Sequence, residues 1–199
     1  MDTTAVALSH FDDAIALKQR VRDTLAPAVA RAAATLTQAL AQGHKALACG
    51  NGGSAADCQH FAAELVGRFE RERAALPAIA LTVDTSALTA IANDYAYDAV
   101  FSRQVEGLGQ RGDVLLAIST SGNSRNVLAA IEAAQRRDMR VIALTGRDGG
   151  AIGRALGPND HHLNVPEART ARVQEVHILL LHCLCDLVDQ SLPGASSHA

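Results

Sequence analysis

The chain has 199 residues, 48% of them hydrophobic, and a formal net charge of −3, which is enough apolar material for one substantial core in one domain. That charge makes no electrostatic case for nucleic acid or for an anionic membrane surface. Aromatics are only 3% and Trp is absent, so the core must be aliphatic.

Residues 1–43 read as a pair of helices belonging to the same domain and to its oligomer interface. Apolar positions at mixed three and four spacing run from 5 to 24, and Pro27 suits the first turn of a second helix ending near Gly43. The start, with Asp2, Asp12 and Asp13, lacks the basic and apolar segments of a signal peptide. No apolar run reaches membrane-spanning length, so a cytoplasmic location is expected.

From 44 to 192 short apolar runs alternate with helical patterns. Strands are expected at 45–49, 78–82, 114–119, 141–145 and 162–165, and the first four runs are continuous, as buried parallel strands require. The fold class is therefore α/β: a five-stranded parallel sheet flanked by helices, in the flavodoxin-like manner. Pro166 closes the last strand, 170–192 is a long final helix, and 193–199 look like a disordered tail. The run with Arg68, Arg71 and Arg73 interleaves Glu70 and Glu72 and reads as a solvated face. Cys49, Cys58, Cys183 and Cys185 have no repeated spacing, so buried thiols are expected rather than a disulfide framework.

Two strand-to-helix junctions carry the chemistry. The first is Gly50-Asn51-Gly52-Gly53-Ser54, and the second is Ser119-Thr120-Ser121-Gly122-Asn123-Ser124. A loop of small residues facing a helix N-terminus offers unpaired N–H donors and a favourable dipole to an anion, and the hydroxyls add neutral donors. Ser54 and Ser124 are also good N-cap types, so each loop could be a plain cap. Four hydroxyls in six residues exceed what one cap requires, and a phosphorylated small molecule is the expected ligand. The spacing matches neither a dinucleotide fingerprint nor a nucleoside-triphosphate loop. Ligands of such sheets sit at the carboxyl ends of the strands, where Asn93 and Asp94 would also lie.

His60 and Glu64, four apart on the helix after the first loop, share a face and can converge on one ion or proton; the alternative is a surface pair worth a few tenths of a kcal/mol. The last helix contributes Gln174, Glu175, His177 and His182. His182 follows four aliphatic residues, so it is expected to be buried and to need a partner. Imidazoles with one carboxylate suit zinc. Of these residues Glu64 is the best base and His182 the best partner to move a proton.

The strings Cys49-Gly-Asn-Gly-Gly-Ser-Ala-Ala-Asp57, His60-Phe-Ala-Ala-Glu64, Ala92-Asn-Asp94, the stretch 112–124 and Gln174-Glu-Val-His177 together resemble the phosphoheptose isomerase family of sugar-isomerase (SIS) domain proteins, along almost the full chain. The resemblance implies conversion of D-sedoheptulose 7-phosphate to D-glycero-D-manno-heptose 7-phosphate, the first step towards lipopolysaccharide heptose. It implies one zinc per site held by His60, Glu64, Gln174 and His182. Substrate contacts would come from Asn51, Gly52, Gly53, Asn93, Asp94, Ser119, Thr120, Ser121, Ser124 and Gln174, in a homotetramer with sites at subunit boundaries. Gln174 and His182 stand eight residues apart, about 12 Å along a helix. One ion would need the side chains to lean together, a helix beginning after Gln174, or ligands from two subunits. The segments Arg68-Phe-Glu-Arg-Glu-Arg73 and His182-Cys-Leu-Cys-Asp-Leu-Val-Asp189 resemble instead the initiator-associating protein DiaA. That gives the alternative: a non-enzymatic tetramer binding the replication initiator DnaA.

Overall fold

The computed structural model describes residues 1–192; the stretch 193–199, expected as a tail, lies outside the described residues. The elements run α1 (Thr3–Ala41), β1 (Ala46–Gly50), α2 (Gly53–Val66), β2 (Ala78–Ala80), α3 (Thr85–Asp94), a 3-10 turn (Tyr97–Ala99), α4 (Ser102–Leu108), β3 (Val114–Ser119), α5 (Arg125–Arg136), β4 (Arg140–Gly146), α6 (Gly150–Ala155), β5 (His161–Val165) and α7 (Thr170–Ser191). All five strands pair in parallel in the order β2-β1-β3-β4-β5. This is the doubly wound order in which the switch point falls between β1 and β3.

The continuous runs behave as a sheet covered on both faces demands: every residue of β1 and β3 is buried, and only Arg140 of β4 is exposed. Successive side chains alternate between two cores. Leu116, Ile118 and Leu144 join Leu36, Phe61, Leu65 and Leu181 beneath α1, α2 and α7. Leu47, Leu115, Ala117 and Val141 meet Val127, Ile131 and Ile152 of α5 and α6 on the other face. Each such aliphatic side chain contributes on the order of 1.5–3 kcal/mol when fully buried. β2 is a three-residue edge, shorter than the 78–82 expected, because its outer side is partly open to solvent.

The expected pair of N-terminal helices is one helix of 39 residues, with Pro27 inside it. Proline removes the bond to the carbonyl four residues back and crowds it, which ordinarily breaks a helix. Here Pro27 and Ala26 face solvent, while Leu17, Val21, Leu25, Val29, Leu36 and Leu40 form one buried stripe that runs past the proline without a change of phase. Packing of that stripe along α7 and β5 overrides the local break.

Candidate functional site

Both small-residue loops leave the carboxyl ends of neighbouring strands, since Gly50 of β1 pairs with Ile118 of β3. In the second loop Ser119 Oγ lies 2.8 Å from Ser124 Oγ and 3.4 Å from Ser121 Oγ, and Ser121 Oγ accepts the Asn123 N–H at 3.1 Å. Ser124 occupies the N-cap of α5 yet makes no side-chain capping bond. The plain-cap reading therefore does not hold for this serine: its hydroxyl is turned into a cluster of hydroxyls. Gly122 has φ +67°, and a Cβ there would overlap the Gly149 carbonyl. The Gly149–Gly150 turn thus braces the loop from behind, with the Ile152 N–H donating to Gly122 O at 2.9 Å and the Ala151 N–H to Asn123 Oδ1 at 2.9 Å.

The first loop is tied to the second through Asn51, by two partners that the sequence did not single out, Asn126 and Tyr97. Asn51 and buried Asn126 of α5 exchange two amide bonds of 2.9 and 2.8 Å, and the Tyr97 hydroxyl donates to Asn51 Oδ1 at 3.0 Å. Asn93 and Asp94 close α3 just before Tyr97; both are exposed, and Asn93 Nδ2 donates to Asp94 Oδ1 at 2.8 Å. The only sequence signal for Asn126 was its place in the first turn after a serine-rich loop.

His60, Glu64 and His182 come together. His60 Nε2 lies 3.1 Å from Glu64 Oε1 and 3.0 Å from His182 Nε2. A carboxylate only accepts, so the His60–Glu64 contact is a hydrogen bond when His60 Nε2 carries the hydrogen, whereas in the His60–His182 contact either ring nitrogen can be the donor. Donors bound to one zinc at about 2.0–2.2 Å stand at comparable separations, so the donor types and both short edges fit an ion. Among the described residues, however, no three or more His, Cys, Asp or Glu side chains are already gathered as an ion would gather them. Gln174 is elsewhere: a Cβ on Gly53 would overlap its amide. α2 and α7 therefore run alongside each other with Gln174 against Gly53 and His182 against His60, two levels about two turns apart. Gln174 stands against the first loop within this chain. Asp57, one turn before His60, has its carboxyl pushed above the usual range by burial, with His60 opposing.

His182, expected to be buried, is only half-buried; the fully buried histidine of α7 is His177. The sheet-facing stripe of α7 runs through Val173, Val176, His177, Leu180, Leu181 and Leu184, which turns position 182 towards α2. His177 Nε2 donates to the Thr145 carbonyl at 3.0 Å, Nδ1 has no partner, and burial lowers its pKa to about 4. His161 and His162 serve structure, on Thr35 and Thr145 hydroxyls at 2.7 Å each. Arg73 is likewise buried, against the expectation of a solvated run, and pairs with Asp189 at 2.6 Å. All four cysteines are free, and three of them are buried. A cleft of about 550 Å³ lined by Arg111, Asp138 and Arg140 lies at the amino ends of β3 and β4, the opposite end of the strands from these groups.

The SIS domain model matches residues 9–146. A phosphoheptose isomerase of Chromohalobacter salexigens is 56% identical over 196 residues, covering 98% of this chain and 100% of the relative. The structure of phosphoheptose isomerase GmhA from Neisseria gonorrhoeae is 55% identical with a TM-score of 0.90, covering 94% of this chain and 99% of that one. The structure of a phosphoheptose isomerase from Francisella tularensis gives 44% and 0.92, covering 96% and 100%.

Proposed function

Because the chain belongs to the phosphoheptose isomerase family of SIS-domain proteins, we propose that it interconverts D-sedoheptulose 7-phosphate and D-glycero-D-manno-heptose 7-phosphate. The observation that carries this reading is the contact chain from the Glu64 carboxylate through His60 to His182, a base and a proton carrier held together in a protein with an uncapped serine loop. Aldose–ketose isomerisation takes the proton alpha to the carbonyl and returns it to the neighbouring carbon through an enediol. Glu64 makes that transfer and His182 moves the hydroxyl proton. Ser119, Thr120, Ser121 and Ser124 bind the phosphate. Asn51, Gly52, Gly53, Asn93, Asp94 and Gln174 orient the sugar.

A divalent ion, zinc by its donor types, would be held by His60, Glu64 and His182 and would polarise the substrate carbonyl. A carboxylate on an ion is a weaker base, so the two roles of Glu64 compete. Glu64 also stands eleven residues, about 16 Å, along α2 from Gly53, a long reach for one seven-carbon substrate. That separation favours a homotetramer in which the phosphate loop and the base of one site come from different subunits. In the cell the enzyme works in the cytoplasm and supplies the heptose of lipopolysaccharide.

Incubation with sedoheptulose 7-phosphate in deuterated water should place deuterium on carbon 1 or carbon 2 and yield the aldoheptose phosphate. Glu64→Gln should lower turnover by roughly 10²–10⁴-fold, and elemental analysis of both proteins separates base from ligand. Zinc-supplied wild type that gives neither exchange nor product, yet captures DnaA, would leave the initiator-binding role in its place.

A further inference from the structure

Arg73 spends its whole guanidinium on one junction. Nε donates to Asp189 Oδ1 at 2.6 Å, Nη2 to the Glu64 carbonyl at 2.7 Å, and Nη1 to the Leu65 and Ala74 carbonyls at 2.9 and 3.0 Å. The Glu64 and Leu65 carbonyls belong to the last turn of α2, where carbonyls lack helical partners and a cation complements the dipole. Asp189 sits two residues before the end of α7. Its Oδ2 accepts the Glu70 and Arg71 N–H groups at 3.3 Å each, and its carbonyl accepts Arg71 Nη1 at 2.9 Å. Both side chains of the pair are almost wholly withdrawn from solvent, at 3% and 1% exposure.

A buried ion pair of this kind is poorly explained by stability, since apolar residues of similar volume often serve as well or better. Geometry explains it. α2 and α7 are pinned at two levels, by His60–His182 and, seven residues further along α7, by Arg73–Asp189. Glu64 lies between the pins, with its own carbonyl in the grip of Arg73. Cys185 fills the space beside them, its thiol pushed up to about 12 by burial and by the carboxylates of Glu64 and Asp189. Slippage of α2 along α7 would have to break the guanidinium fork, and a lysine cannot reproduce that planar multi-point contact.

We propose that Arg73 and Asp189 form a positioning clamp for the isomerase centre, setting the height of Glu64 against His182. The clamp touches neither substrate nor ion, and it rests on the reading of Glu64 and His182 as the acid–base pair.

In the full-length protein, Arg73→Lys and the near-isosteric Asp189→Asn should lower kcat by about 10- to 100-fold, the effect of displacing a catalytic group by about an ångström. KM for sedoheptulose 7-phosphate should stay within about twofold, because the phosphate is bound from the β3–α5 loop. Leu36→Ala, a cavity in the α1 core, serves as the destabilised control and should keep its kcat when assayed well below its melting temperature. Hydrogen exchange read by mass spectrometry over residues 61–67 should quicken about tenfold in the clamp variants and not in the control. Clamp variants that keep wild-type kcat, or lose no more than Leu36→Ala, overturn the proposal, as does unchanged exchange at 61–67. If wild type itself shows no isomerase activity, the functional reading fails separately, and the exchange measurement still judges whether the clamp orders α2.

Discussion

At the scale of single residues, His177 has the most measurable chemistry. Its Nε2–H is committed to a carbonyl, and its Nδ1 is buried with no group to receive a proton, so the ring is neutral in the folded state, with its pKa lowered to about 4 chiefly by burial. In the unfolded chain the ring titrates near the ordinary value of about 6.5. Above that value both states are neutral and the contribution is fully present. Between about 6.5 and 4 the unfolded chain binds a proton that the folded one refuses, so stability falls as pH falls, by on the order of 3 kcal/mol in all. His177→Gln removes this term while keeping a donor for Thr145. The stability gap between wild type and variant, measured by denaturant titration, should narrow steadily from pH 7 to pH 4. A gap that stays constant across that range would show that His177 is not the titrating group.

At the scale of elements, α1 shows tertiary packing outweighing a local rule. Pro27 cannot donate to the Asp23 carbonyl, and the helix tolerates this because the site faces water. The fault remains a cost that the apolar stripe offsets. Pro27→Ala should therefore stabilise the protein by about 1–3 kcal/mol, the order of the proline penalty in a helix interior, seen as a raised denaturant midpoint with an unchanged slope. No gain would mean that the chain uses the proline, for example to set a bend that packing needs. α5 carries the opposite lesson. Ser124 stands at its N-cap but bonds to Ser119, so a residue type that usually stabilises a helix end is diverted into the hydroxyl cluster of the β3–α5 loop.

For the whole molecule, the informative feature is apolar surface exposed among the described residues. Burial along α1 begins only at Leu17, whereas Leu8, Phe11 and Ile15 stand 59%, 69% and 53% exposed, and Leu179 of α7 is exposed as well. Leu8, Phe11 and Ile15 share one face at three and four spacing, and a helix about 58 Å long overhangs the sheet it covers. A stripe of this kind is the surface that the proposed tetramer would use between chains. Light scattering should give four times the 20.8 kDa chain mass, and Phe11→Glu with Ile15→Glu should shift the population to smaller species. A wild-type monomer at micromolar concentration would remove both the tetramer and the shared site.

What the sequence by itself determined is what local pattern can encode. Continuous aliphatic runs located the strands, clusters of Gly and Ser located the two strand-to-helix loops, and four-residue spacing put His60 and Glu64 on one face. What only the tertiary structure decided is which face of each helix meets the sheet and which distant groups meet each other. Arg73 lies in an alternating charged run and looks solvated until Asp189, 116 residues away, closes on it. His177 and His182 are equally plausible as buried residues in an apolar helix, and only the docking of α7 sends one beneath the sheet and the other to His60. Gln174 beside Gly53 and Asn126 beside Asn51 follow from the same cause. Burial and pairing are properties of contacts between segments far apart in the chain, and spacing within one segment carries no information about them.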